Sequence, residues 1–417
     1  MRTLRIILTY LLFPWVSPFL FLHPKLRAGF LDRMGLSAMP TPSAGPTIWL
    51  HGASAGDVLA LVPTAKALRT IYPDLFLVVT AMTNSGYAMA RQQNHTFDCI
   101  RYVPWDLPGA VARTLRGIRP DAIVLEFAEL WPELIHQASQ NNTRIILHNG
   151  CFSRERLERY RAIFRLTGNL VEKLTMLLVR DEEEKARAMV LGALDPNIHI
   201  TGNTKFDHQA QPYDAGMLDA FRLEVKLQNT EGPILVAGST HDGEEEVLLQ
   251  NLTHLRVKYP KLKLIIAPRY IERAPRLVEL GQKHLFQTTL RTRAEKDWDV
   301  LILDTVGELS KAYALSTLVF VGGSITDRGG HNIVEPALCN KPVIFGPYMS
   351  NVEDSVKLLL GRGGLQISGP DQLARIIDNL LGDSDKCRLL GEKAAAQARS
   401  VQGAAKQNAA HIAASLG

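Results

Sequence analysis

Three carboxylates lie just after predicted strands in the first half of the chain. Asp57 follows the apolar run 47–51 and a small-residue turn, while Glu126 and Glu129 follow the apolar run 122–125. The helix dipole stabilises an acid at a helix start, so Asp57 alone indicates a helix cap. If the strands are parallel, all three acids reach one edge of a sheet. That arrangement favours hydroxyl binding, with Asp57 as a general base.

Two glycine pairs in the second half predict an anion site. Residues 319–336 read Val-Phe-Val-Gly-Gly-Ser-Ile-Thr-Asp-Arg-Gly-Gly-His-Asn-Ile-Val-Glu-Pro. The apolar run before the first pair predicts the end of a buried strand, and Asn332 is a good helix N-cap. Backbone N–H groups at such a junction bind anions. Asn332 and Glu335 share one helix face, so together with Gly330 they could bind the phosphate and ribose of a nucleotide.

Other polar residues also follow predicted strands. Arg269, held by the preceding Pro268, follows the run 262–267, and an arginine there is suited to a phosphate. A turn with serine and threonine donors after the run 233–237 suits an oxyanion. Ser239 lies in that turn, Ser54 follows the run 47–51, and Lys205 lies at the predicted domain junction, from which it could reach the cleft. The tight turn of Val306, Gly307 and Glu308 after the run 300–303 could offer backbone groups to a base.

Apolar runs alternate with segments of helical periodicity along most of the chain. This alternation predicts parallel sheets with helices on both faces. The polar stretch 204–232 predicts a domain junction, and two α/β halves predict a cleft at the carboxyl ends of their strands. The predicted strands are 47–51, 75–80, 100–103, 122–125, 144–148 and 174–180, then 233–237, 262–267, 300–303, 318–321 and 342–345.

Composition excludes several classes of protein. The 417 residues are 46% hydrophobic and 21% charged, as in an ordinary globular protein large enough for two domains. A net charge of +5 without a basic run that contains aromatics argues against a nucleic-acid-binding protein. The four cysteines are scattered, which predicts free thiols and neither a zinc site nor a disulfide framework.

The N-terminus differs from the rest of the chain. Residues 6–22 are uncharged and rich in aromatics, contain Pro14 and Pro18, and have basic residues on both sides. We expect an anchor that lies in or dips into an anionic leaflet. A single membrane span is the alternative, and a buried core helix is the least favoured interpretation. A second basic segment, residues 154–161, is either a solvated face or a site for anionic lipid headgroups.

Seven motifs together resemble the 3-deoxy-D-manno-octulosonic acid (Kdo) transferases of Gram-negative bacteria. The last two are specific enough that we would not expect them together by chance. In chain order they are His51-x-x-Ser54-x-Gly56-acid, Glu126-x-x-Glu129-Leu-Trp-Pro132, Thr201-Gly-Asn-x-Lys-Phe-Asp207, Gly238-Ser-Thr-His241, Pro268-Arg269, Asp304-Thr-x-Gly-Glu-Leu309 and Gly322-Gly-Ser…Arg-Gly-Gly-His-Asn…Glu-Pro336.

The resemblance implies an inverting glycosyltransferase of the GT-B fold, with two Rossmann-like domains and the active site between them. Such enzymes transfer Kdo from CMP-Kdo to a lipid A precursor at the cytoplasmic face of the inner membrane, without a bound metal or cofactor. The implied division is 1–40 for the membrane anchor and linker, 41–215 for the acceptor domain, and 216–417 for the nucleotide-sugar domain with its helical tail.

The resemblance also implies residue roles. Asp57 would be the catalytic base, and Glu129 would orient the sugars near the acceptor. Arg269 and the loop from Gly329 to Asn332 would bind the CMP phosphate, and Glu335 the ribose. Val306 to Glu308 would contact cytosine through backbone groups. Ser54 and Ser239 would line the phosphate and sugar pocket, and the predicted set is completed by Glu126, Lys205 and Pro268.

Two positions depart from the family pattern. The family usually has Glu where this chain has Asp57, and Asn-Ala-Arg where this chain has Asn149-Gly150-Cys151. A carboxylate that is one methylene shorter can reach the acceptor differently. The departures therefore leave open a paralogue with another acceptor or another CMP-activated ulosonic acid, and a membrane-bound binding protein without catalysis. A separate alternative is a nucleotide-sugar epimerase that uses the same cleft, against which the predicted anchor argues.

Overall fold

The structure, a computed structural model, describes residues 27–40, 44–207, 213–227, 232–295 and 297–416. It divides into two compact units. The first contains the chain as far as residue 208 together with Val401–Gly417, and the second contains Gln209–Ser400. Each unit has its own seven-stranded sheet, and the strand pairs within both sheets are parallel.

The first sheet has the strand order β3-β2-β1-β4-β5-β6-β7. Its central strands are fully buried on both faces, which is why their sequences are unbroken apolar runs. The chain adds β2 and β3 on one side of β1 and then returns to β4 on the other side. The strands are β1 (Thr47–Gly52), β2 (Phe76–Ala81), β3 (Cys99–Tyr102), β4 (Ala122–Glu126), β5 (Arg144–Gly150), β6 (Met176–Val179) and β7 (Ile198–Ile200).

The second sheet has the order β10-β11-β9-β8-β12-β13-β14. Here the chain reverses between β8 and β12. A reversal of strand order opens a crevice at the carboxyl ends of the two strands, and ligands of open α/β sheets bind there. The strands are β8 (Ile234–Thr240), β9 (Lys263–Pro268), β10 (Thr288–Leu290), β11 (Val300–Ile302), β12 (Leu318–Val321), β13 (Val343–Phe345) and β14 (Gly364–Gln366).

Helices connect the strands in both units. Those of the first unit are α1 (Phe30–Arg33), α2 (Ala55–Ile71), α3 (Asn84–Gln92), α4 (Pro108–Ile118), α5 (Pro132–Gln140), α6 (Leu157–Thr167) and α7 (Glu182–Val190). Those of the second unit are α8 (Ala215–Glu224), α9 (Glu244–Lys258), α10 (Ala274–Lys283), α11 (Leu309–Leu315), α12 (Val334–Leu338), α13 (Glu353–Leu359), α14 (Leu373–Leu381) and α15 (Ser384–Ser400).

The last helix, α16 (Ala404–Leu416), belongs to the first unit. Its buried Ala409 and Ile412 join the core formed by β1, β2 and α2. Asp207 accepts hydrogen bonds from the N–H groups of Gly403 (2.6 Å) and Ala405 (2.5 Å), which fixes the start of the helix. The sequence placed this tail with the second half, and the structure differs because the apolar face of α16 covers the first sheet.

The parallel sheets and all eleven predicted strands are confirmed. The three additional strands, β7, β10 and β14, have three residues each and lie at sheet edges. The predicted anchor, residues 6–22, lies outside the described residues. Within the described part of the chain, no helix is both long and apolar enough to cross a membrane.

Candidate active site

Asp57 lies in the first turn of α2, directly after β1 at the crossover of the first sheet. Its Oδ2 accepts hydrogen bonds of 2.8 Å from both the backbone N–H and the Oγ of Ser54. The other oxygen, Oδ1, forms no hydrogen bond with the residues that the structure describes, and the side chain is partly exposed. Asp57 therefore caps its helix with one oxygen and can accept a proton with the other.

Glu129 meets two aromatic side chains at the carboxyl ends of β1 and β4. The Trp131 Nε1–H group lies 3.0 Å from Glu129 Oε2 and 3.2 Å from His51 Nε2. His51 is fully buried, and its Nδ1 lies 3.0 Å from Thr80 Oγ1. The Glu129 side chain is 29% exposed. The Trp131 indole N–H thus holds Glu129 in place beside the buried His51 ring, while part of the Glu129 carboxylate stays accessible.

Glu126 lies inside the first unit. Its Oε2 is 2.5 Å from His148 Nδ1, and its Oε1 accepts a 2.8 Å hydrogen bond from the amide of Asn149. That amide also donates to Thr204 Oγ1, which donates to the Ala60 carbonyl on α2. The Glu126 side chain is 0% exposed, so contact with substrate would require this network to open. In this structure Glu126 instead connects β4 and β5 to the helix that carries Asp57.

Two cations surround Phe127, the residue after β4. Lys205 Nζ lies 4.5 Å and Arg180 Cζ 4.6 Å from the centroid of its ring. Phe127 has a φ of 53°, which bulky residues seldom adopt, and such strain concentrates at functional sites. Lys205 is exposed. The structure thus brings positive charge to the sheet edge at which Glu129 also lies.

The first glycine pair of the loop after β12 binds an internal anion. The fully buried Glu244 accepts hydrogen bonds from the N–H groups of His241 (2.9 Å), Gly323 (2.7 Å), Ser324 (2.9 Å) and Ile325 (2.9 Å). The expectation that the whole glycine-rich loop offers its N–H groups to a ligand is therefore wrong for this part. A carboxylate of the protein already satisfies them.

The second glycine pair lies beside a pair of stacked histidines. His331 Nε2 is 2.8 Å from His241 Nε2, and a Cβ on Gly323 would lie 2.9 Å from the His331 ring. Burial, together with the nearby His241 and Arg269, lowers the pKa of His331 to about 4. Burial also lowers the pKa of His241. Both rings are therefore neutral at pH 7. The Gly330 N–H donates to the Gly323 carbonyl.

Asn332 and Glu335 occupy the predicted helix start. Asn332 Oδ1 accepts from the N–H groups of Val334 (2.9 Å) and Glu335 (3.4 Å), which confirms the predicted N-cap. The side chain of Glu335 is partly exposed and accepts a hydrogen bond from Ser310 Oγ. Asn332 satisfies these two helix N–H groups itself, so they are not available to a ligand. The groups that a ligand can meet here are the side-chain amide of Asn332 and the carboxylate of Glu335.

Arg269 and Ser239 lie at the carboxyl ends of β9 and β8. The Arg269 N–H donates to the Thr240 carbonyl at 3.0 Å, and its exposed side chain has no ion pair within the described ranges. The ring of Pro268 restricts the backbone just before Arg269, and Pro268 itself is buried. Ser239 has a φ of 56°, at a register shift between β8 and β9. The strained backbone of Ser239 thus lies at the carboxyl end of β8, next to the crossover, and strain of this kind is often found at functional sites.

The turn after β11 is open. Val306 is 85% exposed, and a Cβ built on Gly307 would meet no atom within 4 Å. Glu308 differs from them, because it accepts hydrogen bonds from Thr305 Oγ1 and from Arg291 at 2.8 Å. Backbone groups of Val306 and Gly307 can therefore meet a planar base, while the side chain of Glu308 stabilises the turn.

Comparison with known proteins identifies the family. A sequence model described as 3-deoxy-D-manno-octulosonic-acid transferase (kdotransferase) matches residues 27–208. The 3-deoxy-D-manno-octulosonic acid transferase of Haemophilus influenzae is 31% identical over 376 residues, which cover 88% of this chain and 87% of that protein. The chain belongs to the Kdo transferase family. The same-named protein of Chlamydophila psittaci is also 31% identical, over 87% of this chain and 83% of that protein.

Solved structures support the fold of this Kdo transferase. A UDP-GlcNAc 2-epimerase from Neisseria meningitidis superposes with a TM-score of 0.57 at 11% identity, covering 89% of this chain and 99% of that one. At this identity the likeness shows the fold alone. The resemblance inferred from the seven motifs is confirmed, and this protein is a glycosyltransferase.

Two residues of the site were given no role by the sequence. They are His51, which accepts from Trp131 beside Glu129, and Glu244, which binds the N–H groups at the first glycine pair. A histidine inside an apolar strand was a signal for His51. Glu244 is the first of three consecutive acids, and nothing in that run distinguishes it. Within the described part of the chain, no three His, Cys, Asp or Glu side chains are placed to hold a metal ion.

Proposed function

We propose that this Kdo transferase moves Kdo from CMP-Kdo to a lipid A precursor in lipopolysaccharide biosynthesis. One observation carries the residue assignments: Asp57 and Glu129 adjoin the crossover of the first sheet, and Ser239 and Gly330 adjoin that of the second. Ligands of α/β sheets bind at such positions. The GT-B organisation with a cleft, and a division into an acceptor unit and a nucleotide-sugar unit, are parts of this proposal.

The proposed step is a displacement with inversion. Asp57 Oδ1 takes the proton of an acceptor hydroxyl, whose oxygen then attacks the anomeric carbon of Kdo. The bond between that carbon and the phosphate oxygen breaks, and CMP leaves with the electron pair. Hydrogen bonds from Ser54 fix the other oxygen of Asp57. That restraint orients the base towards the acceptor, which matters because misplacement of about 1 Å can cost roughly 100-fold in rate.

The donor would be bound by the second unit. Arg269 and the loop that ends at Asn332 would hold the phosphate, and the positive charge would stabilise the leaving group without a metal ion. Glu335 would accept hydrogen bonds from the ribose. The open turn at Val306 and Gly307 would contact cytosine. Exposure of Arg269 and of this turn supports the assignment, since both can reach a ligand without rearrangement.

The proposed location is the cytoplasmic face of the bacterial inner membrane. Residues 6–22 would form the anchor. Helix α6 supports a second contact with anionic lipid, because Ile163 and Leu166 are exposed on the same helix as Arg159, Arg161 and Arg165. Exposed apolar side chains next to arginines suit a membrane interface.

A transfer assay tests this function. Purified protein in detergent receives CMP-Kdo, generated in situ, and a tetraacylated lipid A precursor in the presence of EDTA. We expect mass spectrometry to detect lipid with one or more added Kdo residues. Absence of any mass gain, with CMP binding intact, would exclude the lipid A acceptor and direct attention to other acceptors or to a binding protein.

The variant Asp57→Asn tests the base. Asn can still accept the hydrogen bonds from Ser54, but it cannot take a proton, so we expect kcat to fall roughly 100- to 10,000-fold with unchanged CMP affinity. Asp181→Asn is the control, since Asp181 is a carboxylate at the start of α7 that accepts the Glu184 N–H at 2.8 Å and has no proposed role in catalysis. If both variants kept full kcat, Asp57 would be only a helix cap.

A further inference from the structure

A cavity of about 410 Å³ lies in the second unit, beside the Gly329–Asn332 loop. It is formed by the loop after β13 and by helix α13. Of the side chains that line it, Asp327 alone falls within a sequence motif, and the proposed roles include none of them. Those with chemical significance are Asp327, Tyr348, Met349, Glu353, Lys357 and Gln366.

The cavity adjoins the loop to which the phosphate is assigned. A Cβ on Gly330 would lie 2.4 Å from Met349 Sδ, so the loop and the cavity wall are in direct contact. The Asn351 N–H donates to the Gly329 carbonyl at 2.8 Å, and its amide donates to the Arg328 carbonyl at 2.9 Å. A sugar bonded to the phosphate that is assigned to Arg269 and to the loop ending at Asn332 would therefore lie close to this cavity.

The cavity wall has the chemistry that a sugar acid needs. Lys357 is exposed on α13 and has no ion pair within the part of the chain that the structure describes, so its ammonium group can bind a carboxylate. Asp327 and Glu353 can accept hydrogen bonds from hydroxyl groups. Tyr348, which is 45% exposed, offers a ring face to the C–H groups of a sugar.

We propose that this cavity is the subsite for the sugar acid of the activated donor, with Lys357 binding its carboxylate. The inference rests on the proposed function for the position of the phosphate. It adds a specificity element: a nucleotide sugar without a carboxylate would leave Lys357 unpaired in the subsite and would bind less tightly.

Binding measured without acceptor tests the subsite separately from transfer. CMP-Kdo and CMP each compete with a fluorescent CMP analogue for wild type, Lys357→Met and the control Lys393→Met, an exposed lysine on α15. For Lys357→Met we expect the dissociation constant of CMP-Kdo to rise about tenfold, the size of one charge-assisted hydrogen bond. The dissociation constant of CMP should stay unchanged in Lys357→Met, and Lys393→Met should bind both ligands as wild type does.

The outcomes separate the two proposals. Equal loss of CMP and CMP-Kdo affinity, or loss of neither, would overturn the subsite. Wild type that binds CMP-Kdo no more tightly than CMP would overturn it as well. If wild type instead prefers CMP-Kdo in a Lys357-dependent manner but transfers no Kdo to lipid A, the subsite stands and the proposed acceptor fails.

Discussion

At the scale of single residues, side chains of the candidate site also stabilise the fold around it. Asp57 satisfies the Ser54 N–H at the start of α2 and keeps one oxygen for a proton. From the sequence, a helix cap and a general base were competing interpretations of Asp57, because its residue type and its position after a strand fit both. In the structure the two interpretations are compatible, since Ser54 occupies only Oδ2 and leaves Oδ1 without a hydrogen-bond partner among the described residues.

His331 gives a prediction for pH dependence. Its folded pKa is about 4, below the roughly 6.5 of an unfolded imidazole. Between these values the unfolded chain binds more protons, so the free energy of unfolding falls as pH drops from about 6.5 to 4. We expect this residue to contribute roughly 2 kcal/mol of that loss, less than the full linkage value because the ring is partly exposed.

Thermal unfolding between pH 4 and 8 measures this contribution. His331→Gln should lose less stability than wild type over the acidic half of the range, whereas His95→Gln, at an exposed site, should follow wild type. Parallel curves for wild type and His331→Gln would show that the imidazole titrates equally in the folded and unfolded chains.

At the scale of elements, Glu244 sets the shape of the loop between β12 and α12. Two of its N–H donors, Ser324 and Ile325, lie about eighty residues further along the chain than Glu244 itself. The neighbouring Glu245 is buried as well, but it pairs with Arg273 at 2.7 Å and accepts from Thr240. The two acids therefore stabilise different parts of the second unit and form a matched pair for mutation.

Replacing Glu244 with Gln should weaken nucleotide binding. The new amide would turn N–H groups towards the N–H groups of Gly323 or Ser324, and a buried donor without an acceptor costs about 1–3 kcal/mol. We expect CMP affinity to fall about tenfold or more. Glu245→Gln should lower the unfolding temperature but keep CMP affinity within about twofold. Calorimetric titration with CMP measures the affinity of each variant. Equal CMP affinities for Glu244→Gln and Glu245→Gln would contradict a role for Glu244 in shaping the loop.

The sequence predicted elements where a strand is long and buried, and failed where it is short and at an edge. β12 was predicted to the residue because Leu318–Val321 is an apolar run between polar turns. β10, Thr288–Leu290, has no such run, and pairing with β11 alone makes it a strand. In the same way the N-cap at Asn332 follows from local chemistry. The bond between Glu244 and the glycine loop depends on the completed fold.

At the scale of the whole molecule, the two units do not correspond to two continuous halves of the chain. The chain leaves the first unit after residue 208 and returns to it at Val401. The sequence from Asp371 onwards is alanine-rich and predicts helices, but a helix face of small residues can cover either sheet. Only the packing of Ala409 and Ile412 against the core of β1, β2 and α2 decides which unit it completes.

The variant Ile412→Ala tests this division. Ile412 is 0% exposed, so its truncation should cost about 2–5 kcal/mol of stability. The loss should appear in the first unit: hydrogen exchange should accelerate in β1, β2 and α2, while β8, β9 and β12 keep their protection. Leu389→Ala on α15, where the side chain is 48% exposed, is the control and should change neither set. Faster exchange confined to the second unit would mean that the tail stabilises that unit, as the sequence alone suggested.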